Sequence, residues 1–147
     1  MSALNHVLKQ LYQNYAVVLP PARQNELDEA NAFFKKHKGY DLPPDYLEFL
    51  AATDGMAWNG LQLYSLSERL NETETVKYFG VMQVNLKSEN PALKNVVVVG
   101  SFLEELIVYH PKKKEYQVWD RFTYTPIYAF SEFVDVLSFY ARGLLEK

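Results

Sequence analysis

The chain has no cysteine, few glycines and no long apolar run. Its 147 residues include 0 Cys and 6 Gly. The lack of cysteine excludes disulfides, thiolate metal sites and cysteine nucleophiles, and so few glycines leave little material for a phosphate-binding loop. Apolar runs fall far short of the roughly 18 residues that a membrane-spanning helix requires, and no secretory signal is apparent. The sequence therefore predicts a soluble, cytoplasmic protein with no membrane partner.

Clustered positive charge is also scarce. The formal net charge is −3, which argues against nucleic acid or an anionic membrane as the main partner. Lys112, Lys113 and Lys114 form an uninterrupted run of lysines, which has the character of a solvated hairpin tip. The three histidines are widely spaced, and none has a second ligand at metal-binding spacing. No nucleic-acid partner, metal site or cofactor is predicted.

Aromatic residues are plentiful by contrast, at 15% of the chain, with 11 tyrosines. Tyrosine suits half-buried sheets and binding surfaces equally well. A chain of this length is most simply one domain whose core needs no metal or disulfide. We therefore predict a single domain over residues 1–147, in which residues 1–20 form an N-terminal helical extension.

Helical periodicity recurs in several segments. We expect helices over Ser2–Tyr15, Gln24–Lys38, the stretch from Pro43 to Thr53, and about Glu132–Leu145. Phe33 is expected in the buried stripe of the second helix. Gly55 is expected to close the third, and Ser131 to cap the last. Asp45 and Glu48 place negative charge near the start of the third helix, where the helix dipole favours it.

Between these helices the pattern is typical of strands. Leu61–Tyr64 follows an Asn59-Gly60 turn signal, and Val96–Val99 is apolar on both faces, as in a central strand. A hairpin over Leu106–Tyr109 and Tyr116–Trp119, and an edge strand over Tyr124–Ala129 that contains Pro126, complete the set. The stretch from Val76 to Leu86 is ambiguous. The order predicts an α+β fold: an antiparallel-rich sheet with helices packed mainly on one face.

Acidic residues offer the only candidate chemistry. A small carboxylate-dependent hydrolase would need two of Asp54, Glu104 and Asp120 to meet across a cleft. Glu104 and Glu105 are neighbours, so they would point to opposite faces of a strand and make a poor acid–base pair. Solvated loop charges are the preferred interpretation, and no catalytic residue is predicted. Trp58 and Trp119 suit either a partner surface or the edge of the core.

Three segments, taken in order, resemble the SUKH superfamily, which includes fungal cell-wall assembly regulators and many bacterial toxin-immunity proteins. The first is LPPDYLEFL at residues 42–50, ending in Thr53-Asp54-Gly55 and followed by Leu61-Gln62-Leu63-Tyr64. The second is VVVVG at residues 96–100 with the hairpin that follows it, and the third is FSEFV at residues 130–134. Asp54 stands where the family usually has asparagine, and residues 71–90 match nothing in the pattern.

The resemblance implies a SUKH-like, non-catalytic protein-binding domain, and in bacteria an immunity protein that binds and neutralises a toxin domain. The alternative is a cytoplasmic regulatory or scaffolding protein related to regulators of cell-wall glucan synthesis, and the hydrolase is a third hypothesis. We expect a protein partner, and a monomer or weak homodimer. Because binding surfaces need aromatic anchors and complementary charge, the candidate partner-binding residues are Trp58, Tyr64, Glu104, Glu105, Trp119 and Asp120.

Overall fold

A computed structural model describes residues 3–66, 69–70, 77–87 and 90–142. The helices in these ranges are α1 (Ala3–Gln13), α2 (Gln24–Lys38), α3 (Pro44–Ala52), α4 (Val81–Lys87) and α5 (Phe133–Tyr140), with a 3-10 turn at Pro91–Leu93. The strands are β1 (Val17–Val18), β2 (Met56–Trp58), β3 (Leu61–Leu63), β4 (Arg69–Leu70), β5 (Lys77–Tyr78), β6 (Val97–Phe102), β7 (Glu105–His110), β8 (Glu115–Asp120) and β9 (Pro126–Phe130). The predicted α+β class is confirmed.

A seven-stranded antiparallel sheet forms the centre of the fold, in the order β1-β2-β3-β6-β7-β8-β9. β6 pairs with β3 on one side and β7 on the other, and Val96 to Val99 are all buried, which confirms the predicted central strand. Asn59 and Gly60 join β2 to β3 with positive φ angles of 46° and 87°. This is the backbone that a two-residue hairpin turn requires. β4 and β5 form a separate pair.

The predicted hairpin is the best-formed part of the sheet. β7 and β8 pair from Glu105 opposite Asp120 to His110 opposite Glu115. β9 follows as the last strand in the sheet order, and the register shifts where Pro126 lies opposite Trp119. Proline lacks the N–H that a sheet ladder needs, so an edge position beside an irregularity suits it, as predicted.

α3 connects the sheet to α5 through one acidic side chain. Asp45 accepts hydrogen bonds from the Tyr116 hydroxyl at 2.5 Å and from the backbone N–H of Phe133 at 2.7 Å. The rings of Tyr46, Phe49 and Phe133 pack around this junction, and none of them is more than 1% exposed. The predicted buried face of α3 is therefore confirmed. Burial and the nearby Asp45 carboxylate raise the pKa of Tyr116, which keeps its hydroxyl a donor.

Four details of the helices differ from the prediction. α3 ends at Ala52, because the extended backbone of its C-cap, Thr53 (φ −154°), stops the helix before Gly55 is reached. α5 is capped by Glu132 instead of Ser131: Glu132 and Asp135 exchange side chain-to-backbone hydrogen bonds in a capping box. Phe33 is 50% exposed and packs against His37 in a tilted arrangement, at a centroid distance of 4.2 Å, instead of entering the core. α5 ends at Tyr140, with Ala141 as its C-cap, short of the predicted end near Leu145; Leu145 itself lies outside the described residues.

The core is continuous from the first helix to the last. Leu4, Val7 and Leu11 of α1 belong to the same buried cluster as Val136 and Leu137 of α5, so residues of the predicted N-terminal extension contribute to it. That the helices pack mainly on one face of the sheet stays a prediction. In the described ranges, no helix is long and apolar enough to cross a membrane.

Candidate protein-binding surface

One row of residues crosses the sheet at the end where β6 turns into β7. Strand register places Trp58 opposite Leu61, Leu61 opposite Phe102, Phe102 opposite Glu105, and Glu105 opposite Asp120. Residues that face each other directly in a sheet share a face and lie about 5 Å apart. The row therefore brings three of the predicted partner-binding residues, Trp58, Glu105 and Asp120, to one end of the sheet. Glu104 lies in the turn beside them.

Backbone hydrogen bonds hold the three turns at this end together. The N–H of Arg121, after β8, donates to the carbonyl of Glu104 at 2.9 Å, and the N–H of Leu103 donates to the carbonyl of Gly60 at 3.4 Å. Leu103 packs directly over the glycine, since a Cβ at residue 60 would lie 2.8 Å from Leu103 Cδ2. The turns after β2, β6 and β8 thus form one connected layer.

Two large apolar side chains project from this layer. Phe122 is 70% exposed and Leu103 is 64% exposed. Leu103 also has a φ of 50°, in the left-handed region that costs an ordinary L-residue about 1–2 kcal/mol. Leu103 contacts Gly60 but leaves most of its side chain in water, so its contribution to folding is small, and such backbone strain accumulates at functional sites. We call this region the turn-end surface and define it by residues Trp58, Asn59, Leu103, Glu104, Asp120, Arg121 and Phe122.

Asp120 fixes the turn that presents Phe122. Its Oδ1 accepts hydrogen bonds from the backbone N–H groups of Phe122 at 2.8 Å and Thr123 at 2.9 Å. These amides, that of Thr123 first, hold the pKa of the Asp120 carboxyl below its usual value. The carboxylate is therefore ionised and committed to the turn. Its place in the surface is to position Phe122.

Trp58 and Glu105 are turned towards the helices. The Trp58 indole N–H donates to the carbonyl of Asn14, just after α1, at 3.0 Å. Glu105 Oε1 accepts a hydrogen bond from the Tyr140 hydroxyl of α5, also at 3.0 Å. Burial and the Glu105 carboxylate raise the pKa of Tyr140. Both side chains are half-buried. They therefore form the base of the turn-end surface, and its exposed residues lie in the turns.

The other two candidates, Tyr64 and Trp119, belong to the opposite face. Trp119 pairs with Leu106, which pairs with Ser101, and the Tyr64 hydroxyl bonds to the Ser101 side chain. Tyr64 is 5% exposed and Trp119 is 8% exposed. The Trp119 indole N–H donates to Gln117 Oε1 at 2.8 Å, and Gln117 Nε2 donates to Glu115 Oε2 at 2.8 Å. Their buried polar groups are satisfied within the fold, so these rings offer little surface to a partner.

Of the three carboxylates proposed for a hydrolase, Asp54 lies apart from Glu104 and Asp120, which both belong to the turn-end surface. Asp54 is 0% exposed and accepts the N–H of Leu66 at 2.9 Å, at the opposite end of the β2–β3 hairpin from the turn-end surface. Asp120 has a lowered pKa, which suits no general acid at neutral pH. Within the described ranges, no group of His, Asp or Glu side chains is arranged to hold a metal ion.

Leu103 and Phe122 are the surface residues that sequence reasoning missed. The signal for Leu103 is a large apolar residue at a position between two strands where Asn, Asp or Gly is usual. The signal for Phe122 is Asp120 two residues before it, since aspartate favours a turn that would lift the ring out of the sheet. In both cases exposure follows from the turn and cannot be inferred from hydrophobicity.

Comparison with known proteins gives one partial relative and no family assignment. No protein-family model matches the chain. The chain is 36% identical over 72 residues to YrhA, an uncharacterized protein of Escherichia coli (strain K12). The matched segment takes in 47% of this chain and 51% of YrhA, so the chain spans about half the length of that relative.

Proposed function

We propose that the chain is a non-catalytic, cytoplasmic protein-binding domain of SUKH type, and that it is a bacterial immunity protein which binds and neutralises a toxin domain through the turn-end surface. The sequence resemblance supplies the family. The observation that carries the site is the pair of exposed apolar side chains, Leu103 and Phe122, on turns joined by the Arg121–Glu104 backbone hydrogen bond.

The composition of the turn-end surface suits protein recognition. An aromatic and an aliphatic side chain can supply the desolvated centre of an interface, where a few residues contribute most of the binding energy. The exposed Glu104 and the half-exposed Asp120 lie beside them, with Arg121 as the cation of the group. This balance favours a partner patch that combines an apolar pocket with basic side chains, because complementary charge speeds association and selects partners.

Rigidity supports the same function. The three turns are held by backbone hydrogen bonds, and Asp120 fixes the Phe122 turn through two more. A surface that is already ordered loses less conformational entropy on binding, which increases affinity without further contacts. An immunity protein acts by occupying its target, so a rigid surface and no reactive group are what it needs.

Co-expression with a toxin domain encoded beside the gene tests the proposal. The wild-type chain is expected to form a complex and restore growth. The variants Phe122→Asp and Leu103→Asp are expected to lose both, because each places a charge at the centre of the interface. Phe33→Asp is the matched control: Phe33 is 50% exposed on α2, outside the turn-end surface, and this variant should rescue growth as well as wild type.

Two outcomes would contradict the proposal. The absence of both complex and rescue with the wild-type chain would remove the immunity function. Equal rescue by the Phe122→Asp and wild-type chains would remove the turn-end surface as its site. If no toxin gene lies beside the gene for this chain, the regulatory or scaffolding alternative is favoured.

A further inference from the structure

A cavity of about 370 Å³ lies between the end of α2, α4 and the start of β6. This volume is within the range of protein sites that hold small molecules. Its lining combines four apolar residues with two lysines: Val84, Pro91, Leu93, Val98, Lys38 and Lys94. None of these residues belongs to the turn-end surface, so the cavity is a separate feature of the molecule.

The inner wall of the cavity is fixed by Asn85 of α4, which also contributes to its lining. The Asn85 amide donates to the carbonyls of Val81 at 2.7 Å and Val98 at 2.8 Å, and its Oδ1 accepts the N–H of Val98 at 2.7 Å. Asn85 is 4% exposed, so these bonds hold α4 on β6 away from water. The cavity is therefore formed before any ligand binds, which lowers the entropic cost of binding.

Tyr40 joins the two segments that carry the lysines. Lys38 is the last residue of α2, and Lys94 follows the 3-10 turn at Pro91–Leu93. The Tyr40 hydroxyl donates a shared hydrogen bond to the carbonyls of Lys94 and Val96, each at 3.1 Å. Two lysines that are distant in the sequence are thus held at one cavity.

The two lysines bring positive charge to the cavity without a carboxylate to balance it. Lys35, in the same helical turn as Lys38, pairs with Asp41 at 3.9 Å. Among the residues that the structure describes, Lys38 and Lys94 form no such ion pair and no acidic residue lines the cavity. Burial lowers the pKa of the Lys38 ammonium, since partial removal from water disfavours its charged form. An anion in the cavity would offset that cost.

The helix dipole explains only part of this charge. Lys35, Lys36 and His37 complement the negative end of α2, as basic residues in a last turn commonly do. Lys94 belongs to another element, and complementing the α2 dipole does not require Lys38 to line a cavity beside apolar side chains. The placement of both lysines is accounted for by a ligand.

We propose that this cavity binds a small organic anion, whose charged head lies beside the Lys38 and Lys94 amines and whose apolar body contacts Val84, Leu93 and Val98. A lysine ammonium is a compact point charge, so it accepts a carboxylate or a phosphate head. The aliphatic lining favours a ligand with an apolar body over a bare inorganic ion, because only the former removes apolar surface from water.

Titrations followed by amide NMR spectra of the nitrogen-labelled wild-type chain test the proposal. The probes are naphthoate, the neutral naphthamide of nearly the same shape, and inorganic phosphate. Naphthoate at millimolar concentration should shift the amide signals of Val84, Asn85 and Val98, and naphthamide and phosphate should bind several times more weakly. Equal binding of naphthamide, or naphthoate that shifts none of these three signals, overturns the proposal. Equal binding of phosphate overturns the requirement for an apolar body.

Lysine variants locate the site within the basic end of α2. Lys38→Gln and Lys94→Gln should each weaken naphthoate binding by about tenfold, because each removes one charged donor. Lys36→Gln is the matched control: it removes the same charge from an exposed residue that does not line the cavity, and it should bind as wild type does. An equal loss in Lys36→Gln and Lys38→Gln overturns the cavity as the site. None of these measurements involves a toxin, so the result is independent of the proposed function.

Discussion

Two regions of the molecule combine apolar and acidic side chains. At the junction of α3, β8 and α5, aromatic rings surround the Asp45 carboxylate. At the turn-end surface, Phe122 and Leu103 lie beside Glu104 and Asp120. The two regions differ in how these groups are satisfied. Asp45 receives hydrogen bonds from Tyr116 and Phe133, and the Tyr116 and Phe133 rings are at most 1% exposed. At the turn-end surface, Phe122 and Leu103 remain 70% and 64% exposed.

The difference indicates what each region is for. The Asp45 junction connects residues that are 71 and 88 positions apart in the chain, so it stabilises the fold. The turn-end surface keeps apolar side chains in water, and its own hydrogen bonds hold the turns that present them. Substitutions at the junction should therefore act on stability, and substitutions at the turn-end surface on binding.

The largest expected effect is on stability at the junction. Asp45→Ala leaves the Tyr116 hydroxyl and the Phe133 N–H without their acceptor, and each such loss costs about 1–3 kcal/mol. We expect the free energy of unfolding, measured by urea denaturation, to fall by about 3 kcal/mol. Glu48→Ala is the control, since Glu48 is an exposed acidic residue of the same helix. A similar loss in both variants would show that the charge at the helix start matters and the junction does not.

Phe122→Ala should have the opposite profile. The side chain is 70% exposed, so its removal should change the free energy of unfolding by less than about 0.5 kcal/mol. Affinity for the proposed toxin domain should fall by about 2 kcal/mol, the scale of an interface hot spot, as measured by calorimetry. Unchanged affinity would place Phe122 outside the interface.

The Leu103→Asn variant should change stability and partner affinity in opposite directions. Asparagine tolerates the positive φ of this position (50° for Leu103) better than leucine does, so the chain should become more stable by about 1 kcal/mol at most. Its affinity for the partner should nevertheless fall, because the apolar contact is lost. If the Leu103→Asn variant is less stable than wild type, the Leu103 side chain stabilises the fold.

The smallest effect concerns the ionisation of Asp120. Its folded pKa lies below the ordinary value of 3.8, so its contribution to stability is present above pH 3.8 and is lost as the pH falls through the folded pKa. A carbon NMR titration of the carboxyl group should have its midpoint below that value. A midpoint at or above it would mean that the Phe122 and Thr123 amides do not stabilise the carboxylate.

Local signals predicted much of the fold. α2 begins at Gln24 and ends at Lys38, as predicted, because the lysines of its last turn and Gly39, with φ 88°, define its end. The valine strand β6 and the β7–β8 hairpin were also predicted. An apolar run indicates the buried strand, and two periodic segments around a polar turn indicate the hairpin. Gly55 was wrong as the end of α3, because Thr53 had already left the helical conformation.

The candidate site was harder to predict, since exposure is a property of the assembled sheet. The prediction of Trp119 and Tyr64 rests on their residue types, but both rings are buried on one face by neighbours distant in sequence. Leu103 and Phe122 are not among the predicted partner-binding residues, because strand register alone brings their turns together. Asp45 was expected only to complement a helix dipole, and its bonds to Tyr116 and Phe133 depend on tertiary structure.

Hydrogen–deuterium exchange on the proposed complex with a toxin domain tests the turn-end surface most directly. The account predicts that binding slows exchange at residues 103–104 and 121–125, which form the exposed turns, and leaves exchange in α3 unchanged. Protection confined to the helices, with the turns after β6 and β8 exchanging as in the free chain, would contradict it.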